Sequence, residues 1–192
     1  MSQRGRARRP QWAPGAHGLP LRLLVDLPNW VGDQVMAIPV VERLVEANLG
    51  GTTVLHVRPP VQRLFATLFP AAVVVTSPPK TSPIVAALRV ARQTGRADLG
   101  LTLRHAARAK IFLRLAAATA WGSRGGLATV MLDRAFPVDS SRHQLLDAAP
   151  MLEALGLEAP EPRTSHIQLP VPLARETPAV VAGLRGRGGT PV

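Results

Sequence analysis

The amino-acid sequence predicts an α/β fold: an open, doubly wound parallel sheet of the Rossmann-like kind, covered by helices on both faces. Three observations carry that expectation. From Leu21 onward, short apolar runs alternate with amphipathic stretches about every 20 to 25 residues, the rhythm of strand–helix–strand crossovers. The runs are nearly continuous in Val, Leu and Ala, as strands buried on both faces are. With 46% hydrophobic residues, 4% aromatics and no Tyr, the core must be built from aliphatic side chains, which suits helices packed on a parallel sheet. At 192 residues the chain has room for one domain with a tail and is short for two.

The elements follow in order. "LRLLVDL" (21–27) is a first strand. Residues 33–49 form a helix with Val41, Leu44 and Val45 on one face, stopped by Gly50 and Gly51. Pro39 lies inside it and removes one backbone donor, so its first turns should be kinked or loosened. "TTVLHVR" (52–58) is a β-branched second strand. "PPVQRLFATLF" is a helix opened by proline, where a missing N–H does no harm. "AAVVVTS" (71–77) is the third strand, 84–94 a helix ending at Gly95, "DLGLTLR" (98–104) the fourth strand and 105–118 the next helix. "ATAWGSRGG" reads as a turn-rich link with a short strand at 119–122, and 141–155 as an amphipathic helix ending at Gly156. The chain divides into a disordered basic tail (1–20), a Rossmann-like domain (21–170), and a linker with the start of a further domain (171–192).

Sheets of this class bind ligands beyond the carboxyl ends of their strands. That places "PNWVGD", "RPP" (58–60) and "RHAAR" (104–108) on one rim.

Charge and composition narrow the function. The net charge of +11 invites a nucleic-acid reading. Yet among 23 basic residues only Lys80 and Lys110 are lysines, an arginine bias that a GC-rich coding sequence produces without functional cause. The charge is also spread along the chain. Its one true basic run, "MSQRGRARRP", would suit lipid headgroups or phosphorylated glycans as well as DNA, so nucleic acid is the least favoured partner. The absence of Cys excludes a disulfide scaffold, a thiolate metal site and a cysteine nucleophile. Arg8 and Arg9 are not followed by an apolar export core, and no segment has the ~18 apolar residues of a membrane span. A cytoplasmic chain is expected.

The opening loop, "LPNWVGD", admits three readings. A dinucleotide site needs three glycines and this loop has Gly32 alone, with a carboxylate that would repel phosphate. That reading fails. Asp33 suits a helix N-cap, its carboxylate accepting helix N–H bonds. It also suits a general base, an acid at the ligand rim that takes a proton from an attacking hydroxyl. Capping lowers basicity, whereas Trp30 could exclude water and raise it, or serve only as a lid on the core. Taken alone, an Asp at a helix start is more often a cap.

"LRLLVDLPNWVGDQVMAIPVVERL" resembles the N-terminal signature of the family nine glycosyltransferases, the ADP-heptose:lipopolysaccharide heptosyltransferases, and is most similar to the type II branch. Asn29, Trp30, Val31, Gly32, Asp33, Val35, Met36 and Pro39 stand at matching places. "TTVLHVRPPVQRLFATLF", "LGLTLRHAARAKIFLRLAAATAWG" and "RHQLLDAAPMLEALGL" continue the resemblance, which covers about residues 21 to 170. It implies the N-terminal half of a GT-B architecture, in which this domain holds the acceptor and a second domain holds the nucleotide sugar. It implies inverting transfer of heptose, or a related sugar, from a donor such as ADP-heptose to a lipopolysaccharide-type inner core, with no metal and no cofactor. Asp33 carries the role of general base. Asn29, Trp30, Gly32, His105 and Arg108 are the implied substrate contacts. His105 stands where the family has an amide, and Arg108 keeps a positive charge suited to a phosphorylated sugar, or else lies on a solvated helix face. Arg58 is a further candidate for the acceptor, and His143 is better read as a capping or surface residue. The implied partners are an acceptor glycolipid at the inner face of the cytoplasmic membrane and a separate donor-domain chain. The donor signature "PG-----K-WP" has no counterpart in "ETPAVVAGLRGRGGTPV", so the chain reads as truncated, and by itself should show little activity. The alternative is a non-catalytic Rossmann remnant that binds glycan or lipid.

Overall fold

The computed structural model describes residues 21–138 and 147–160. Its element order is β1 (Arg22–Asp26), α1 (Val31–Met36), α2 (Ile38–Ala47), β2 (Thr52–Val57), a 3₁₀ turn (Pro59–Val61), α3 (Gln62–Leu68), β3 (Val73–Thr76), α4 (Pro83–Thr94), β4 (Ala97–Thr102), α5 (Ala107–Ala116), β5 (Ala117–Ser123), a second 3₁₀ turn (Leu127–Met131), β6 (Arg134–Phe136) and α6 (Ala149–Ala154). The six strands form one sheet in the order β3-β2-β1-β4-β5-β6, with every neighbouring pair parallel. This is the expected doubly wound sheet. Strand order reverses between β1 and β4, and the loops leaving those two strands diverge there to open a crevice.

Each face of the sheet has its own core, because strand residues alternate sides. Leu23, Val25, Leu55, Leu99 and Leu101 meet Val41 and Leu44 of α2, Phe65 of α3 and Leu152 of α6. Leu24, Val54 and Val75 meet Ala87 and Val90 of α4 and Phe112, Leu113 and Ala116 of α5. The second face is packed tightly by small residues. A Cβ on Gly100 would lie 2.7 Å from Leu113 Cδ1 and 2.8 Å from the Ala117 Cβ. Gly100→Ala therefore forces α5 off the sheet, and the urea midpoint should fall by the equivalent of ~1–3 kcal/mol; an unchanged midpoint would contradict this close approach.

Two expectations are revised and one strand is added. The helix expected at 33–49 is two helices. Pro39 has no N–H to give the carbonyl of Val35, so α1 ends at Ala37 and α2 starts again at Ile38 with the proline in its first turn. The short strand expected at 119–122 is there and is longer, Ala117–Ser123, all but one of its residues buried; its full length was hidden because it consists of Ala, Gly, Ser and Thr around a single Trp. β6, not expected at all, is three residues long and held by its surroundings. Arg134 pairs across from Trp121, its guanidinium 5.1 Å from the indole centroid. Of the helix expected at 141–155, the described residues show Ala149–Ala154, and 141–146 lie outside them. The basic tail, His143 and the segment after residue 160 lie outside the described residues. Among the described residues, no helix is long and apolar enough to cross a membrane.

Candidate functional site

Two clefts open at the carboxyl ends of the strands, where the sequence placed its rim. The first, of about 250 Å³, sits at the β1/β4 reversal. The β1–α1 loop lines it with Pro28, Asn29 and Trp30, and α1 adds Asp33. The β4–α5 loop contributes Leu103, Arg104 and His105, and Asp147 and Met151 close the far wall.

Asp33 is not a cap. The extended residue before α1 is Trp30, and no side chain bonds the helix end, so Asp33 stands in the first turn, half-buried, with its carboxylate on the cleft. Trp30 is not a lid on the core either. It is 76% exposed, so the indole stands at the mouth of the cleft, where a ligand rather than the protein would cover it. Asn29 and His105 also line this cleft, and His105 Nε2 lies 3.4 Å from Asp147 Oδ2. Gly32 faces neither cleft, and a Cβ added there would meet nothing within 4 Å.

Arg108 belongs to the second cleft, of about 190 Å³, which lies on the α4/α5 side of the sheet. Asn29, Arg104 and Ala106 form a wall common to both. Arg58, Lys80, Arg104 and Arg108 surround the second cleft with positive charge. Arg108 Nη2 donates to the carbonyl of Thr81 at 3.1 Å, and Arg58 Nη2 donates to Asn29 Oδ1. Lys80 has φ 64°, left-handed for a residue with a side chain. It follows Pro79 in a turn whose Thr81 N–H donates to the Pro78 carbonyl at 3.2 Å, the arrangement of a type II turn usually given to glycine. The guanidinium of Arg58 has its pKa lowered by burial and by the neighbouring Arg104 and Arg108, with Asp26 opposing. It remains a cation at neutral pH.

Beneath this cleft lies a cluster that the sequence reading missed. Asp26 is fully buried, and His56 Nδ1 is 2.8 Å from its Oδ1. His56 Nε2 is 3.0 Å from Ser77 Oγ. Thr102 Oγ1 donates to Asp26 Oδ2 at 3.0 Å, and Arg104 Nη1 donates to both carboxylate oxygens at 3.3 and 3.4 Å. Burial by itself would raise the Asp26 pKa, but Arg104, His56 and Thr102 outweigh it and the net shift is downward. The signal was present: the polar residues in "LLVD", "VLHV" and "VVTS" stand at or just beyond the ends of three consecutive strands. Only the order β3-β2-β1 makes them neighbours in a row.

No protein-family model matches the chain, and no curated protein does. Solved structures do, and they share the expected fold class, the Rossmann-like half of a GT-B glycosyltransferase. A glycosyl transferase family 9 protein from Veillonella parvula DSM 2008 superposes with a TM-score of 0.65 at 18% identity, over 90% of this chain and 51% of that one. The E. coli heptosyltransferase WaaC with ADP-2-deoxy-2-fluoro heptose gives 0.58 at 19% identity, over 80% of this chain and 53% of that one. E. coli ADP-heptose LPS heptosyltransferase II gives 0.52 at 15%, over 78% and 44%. The chain thus spans about half the length of the structures it matches, which are drawn from the family its opening motif resembles.

Proposed function

We propose that this chain is the acceptor-side half of a glycosyltransferase that moves heptose, or a related sugar, from a nucleotide sugar to a hydroxyl of a lipopolysaccharide-type inner core. The observation that carries the reading is the position of Asp33. It lines the cleft at the sheet's reversal, free of any capping duty, in a fold shared with heptosyltransferases. A carboxylate so placed accepts the proton of the acceptor hydroxyl as that oxygen attacks the anomeric carbon and the nucleoside diphosphate departs from the opposite face, inverting the configuration. Trp30 and His105 flank the acceptor, and Asn29 positions Arg58. The cations of the second cleft take the acceptor's phosphate or carboxylate groups. The donor, ADP-heptose or a relative, is held by a donor-side domain, whose contacts stabilise the leaving phosphate. In this reading the reaction uses no metal or cofactor, the partners are the acceptor glycolipid and the donor-side domain, nucleic acid is not a partner, and the chain works at the inner face of the cytoplasmic membrane.

Calorimetric titration with a phosphorylated inner-core oligosaccharide tests the acceptor half of the proposal. Binding is expected to weaken about tenfold in Arg108→Ala, the loss of one charge-assisted contact, and to weaken further as salt rises. Equal affinity for the phosphorylated and dephosphorylated acceptor would refute the assignment of the cationic cleft. Binding without Asp33-dependent transfer would leave a non-catalytic glycan- or lipid-binding domain.

A further inference from the structure

We infer that Ser77, His56 and Asp26 form a second reactive centre, a nucleophilic relay in the cationic cleft that cleaves small esters carrying a negative charge. The inference is independent of glycosyl transfer, in which none of the three has a role.

The geometry sets each proton. An ionised carboxylate only accepts hydrogen bonds, so the 2.8 Å contact between Asp26 Oδ1 and His56 Nδ1 requires the proton on Nδ1. In the neutral imidazole Nε2 is then the acceptor, and the Ser77 hydroxyl, 3.0 Å away, donates to it. This is the order nucleophile, base, orienting acid that activates a serine. The imidazole cannot turn away. Its ring packs on Phe112 with centroids 4.7 Å apart, and Asp26 is itself held by Thr102 and Arg104. A purely structural polar network has no need of an opening, yet Ser77 and His56 both line the second cleft, with Arg58, Lys80 and Arg108 around them. Those cations select an anionic substrate and supply positive charge for an oxygen that becomes negative in the reaction. At about 190 Å³ the cleft is smaller than the ~300–1,000 Å³ of drug-sized ligand sites, which restricts it to small esters.

The step balances without a further reactant except water. Ser77 Oγ bonds to the ester carbonyl carbon as its proton passes to His56 Nε2. The bond from that carbon to the leaving oxygen breaks, and the oxygen takes the proton from Nε2. Water then attacks the acyl-serine, giving its proton to Nε2, and Ser77 leaves with that proton restored.

The test is diisopropyl fluorophosphate added to the intact chain, read by intact mass and peptide mapping. The expected product is one adduct, on Ser77, formed with loss of fluoride. Ser77→Ala should abolish it. His56→Gln, which retains hydrogen-bonding groups toward Asp26 and Ser77, should slow it at least 100-fold with an unchanged circular dichroism spectrum. Turnover of p-nitrophenyl hemisuccinate should exceed that of p-nitrophenyl acetate at least tenfold, and the preference should fall in Arg58→Ala. No adduct on Ser77 in the folded chain, or labelling at an equal rate in His56→Gln, overturns the proposal and leaves the cluster a packing network. Because no sugar donor enters the experiment, its failure leaves the glycosyltransferase reading untouched, and the converse holds.

Discussion

Asp33→Asn is expected to lower sugar transfer by about 10²–10⁴-fold, the usual contribution of a positioned general base, when the chain is assayed together with a donor-side domain. The amide has the carboxylate's size and cannot take the hydroxyl's proton. Asp33 makes no capping bond, so the fold should not pay for its loss, and urea midpoints should agree within about 0.5 kcal/mol. The same geometry demands a split: acceptor affinity in the variant stays near the parent's while kcat falls. A variant that transfers sugar at the parent's rate would remove Asp33 from the reaction. One that loses acceptor binding instead would make Asp33 a contact and not a base.

Asp26→Asn is the change expected to harm the fold most. It removes the one carboxylate that Arg104, His56 and Thr102 converge on, and leaves Arg104, whose side chain is 14% exposed, facing an uncharged group. Breaking a buried pair on one side costs about 3–5 kcal/mol, a large part of the 5–15 kcal/mol typical of a domain. Chemical denaturation at neutral pH measures it. The pH dependence has a definite sign. Asp26 binds its proton less readily in the folded chain than at the ordinary carboxylate value, so its contribution is complete above about pH 4 and disappears as pH falls through the lowered folded value. As pH falls below about 4, the parent should lose stability more steeply than Asp26→Asn. Parallel curves would mean that the carboxylate is not held ionised.

Much of this architecture was legible in the sequence because its information is local. β-branched runs such as "TTVLHV" and "AAVVV", a Pro at a helix start and a Gly past a helix end each act on their own backbone, and so the first four strands and the helices between them could be read in order. β5 could be read only in part, as a short strand at 119–122, and β6 not at all. "AATAWGS" and "RAF" have weak strand preference of their own and are held extended by β4, by Trp121 and by Arg134 across from it. The break at Ala37 was foreseeable from Pro39. That Asp33 would then stand in the first turn with no bond to the helix end was not, because which residue starts a helix depends on how the preceding strand enters the loop.

The α/β class, the succession of strands and helices, the rim on which ligands would gather and the resemblance that singles out Asp33 are all written in short-range pattern or contiguous motif. How that rim is divided depends on the folded chain. It separated Asp33 and His105 in one cleft from Arg108 in another. It also drew Asp26, His56 and Ser77, far apart in the chain, into hydrogen-bonding contact. The physical reason is the strand order. A parallel sheet that reverses between β1 and β4 sets the ends of β1, β2 and β3 side by side and opens the chain between β1 and β4, and no local preference in the sequence encodes which strand lies next to which.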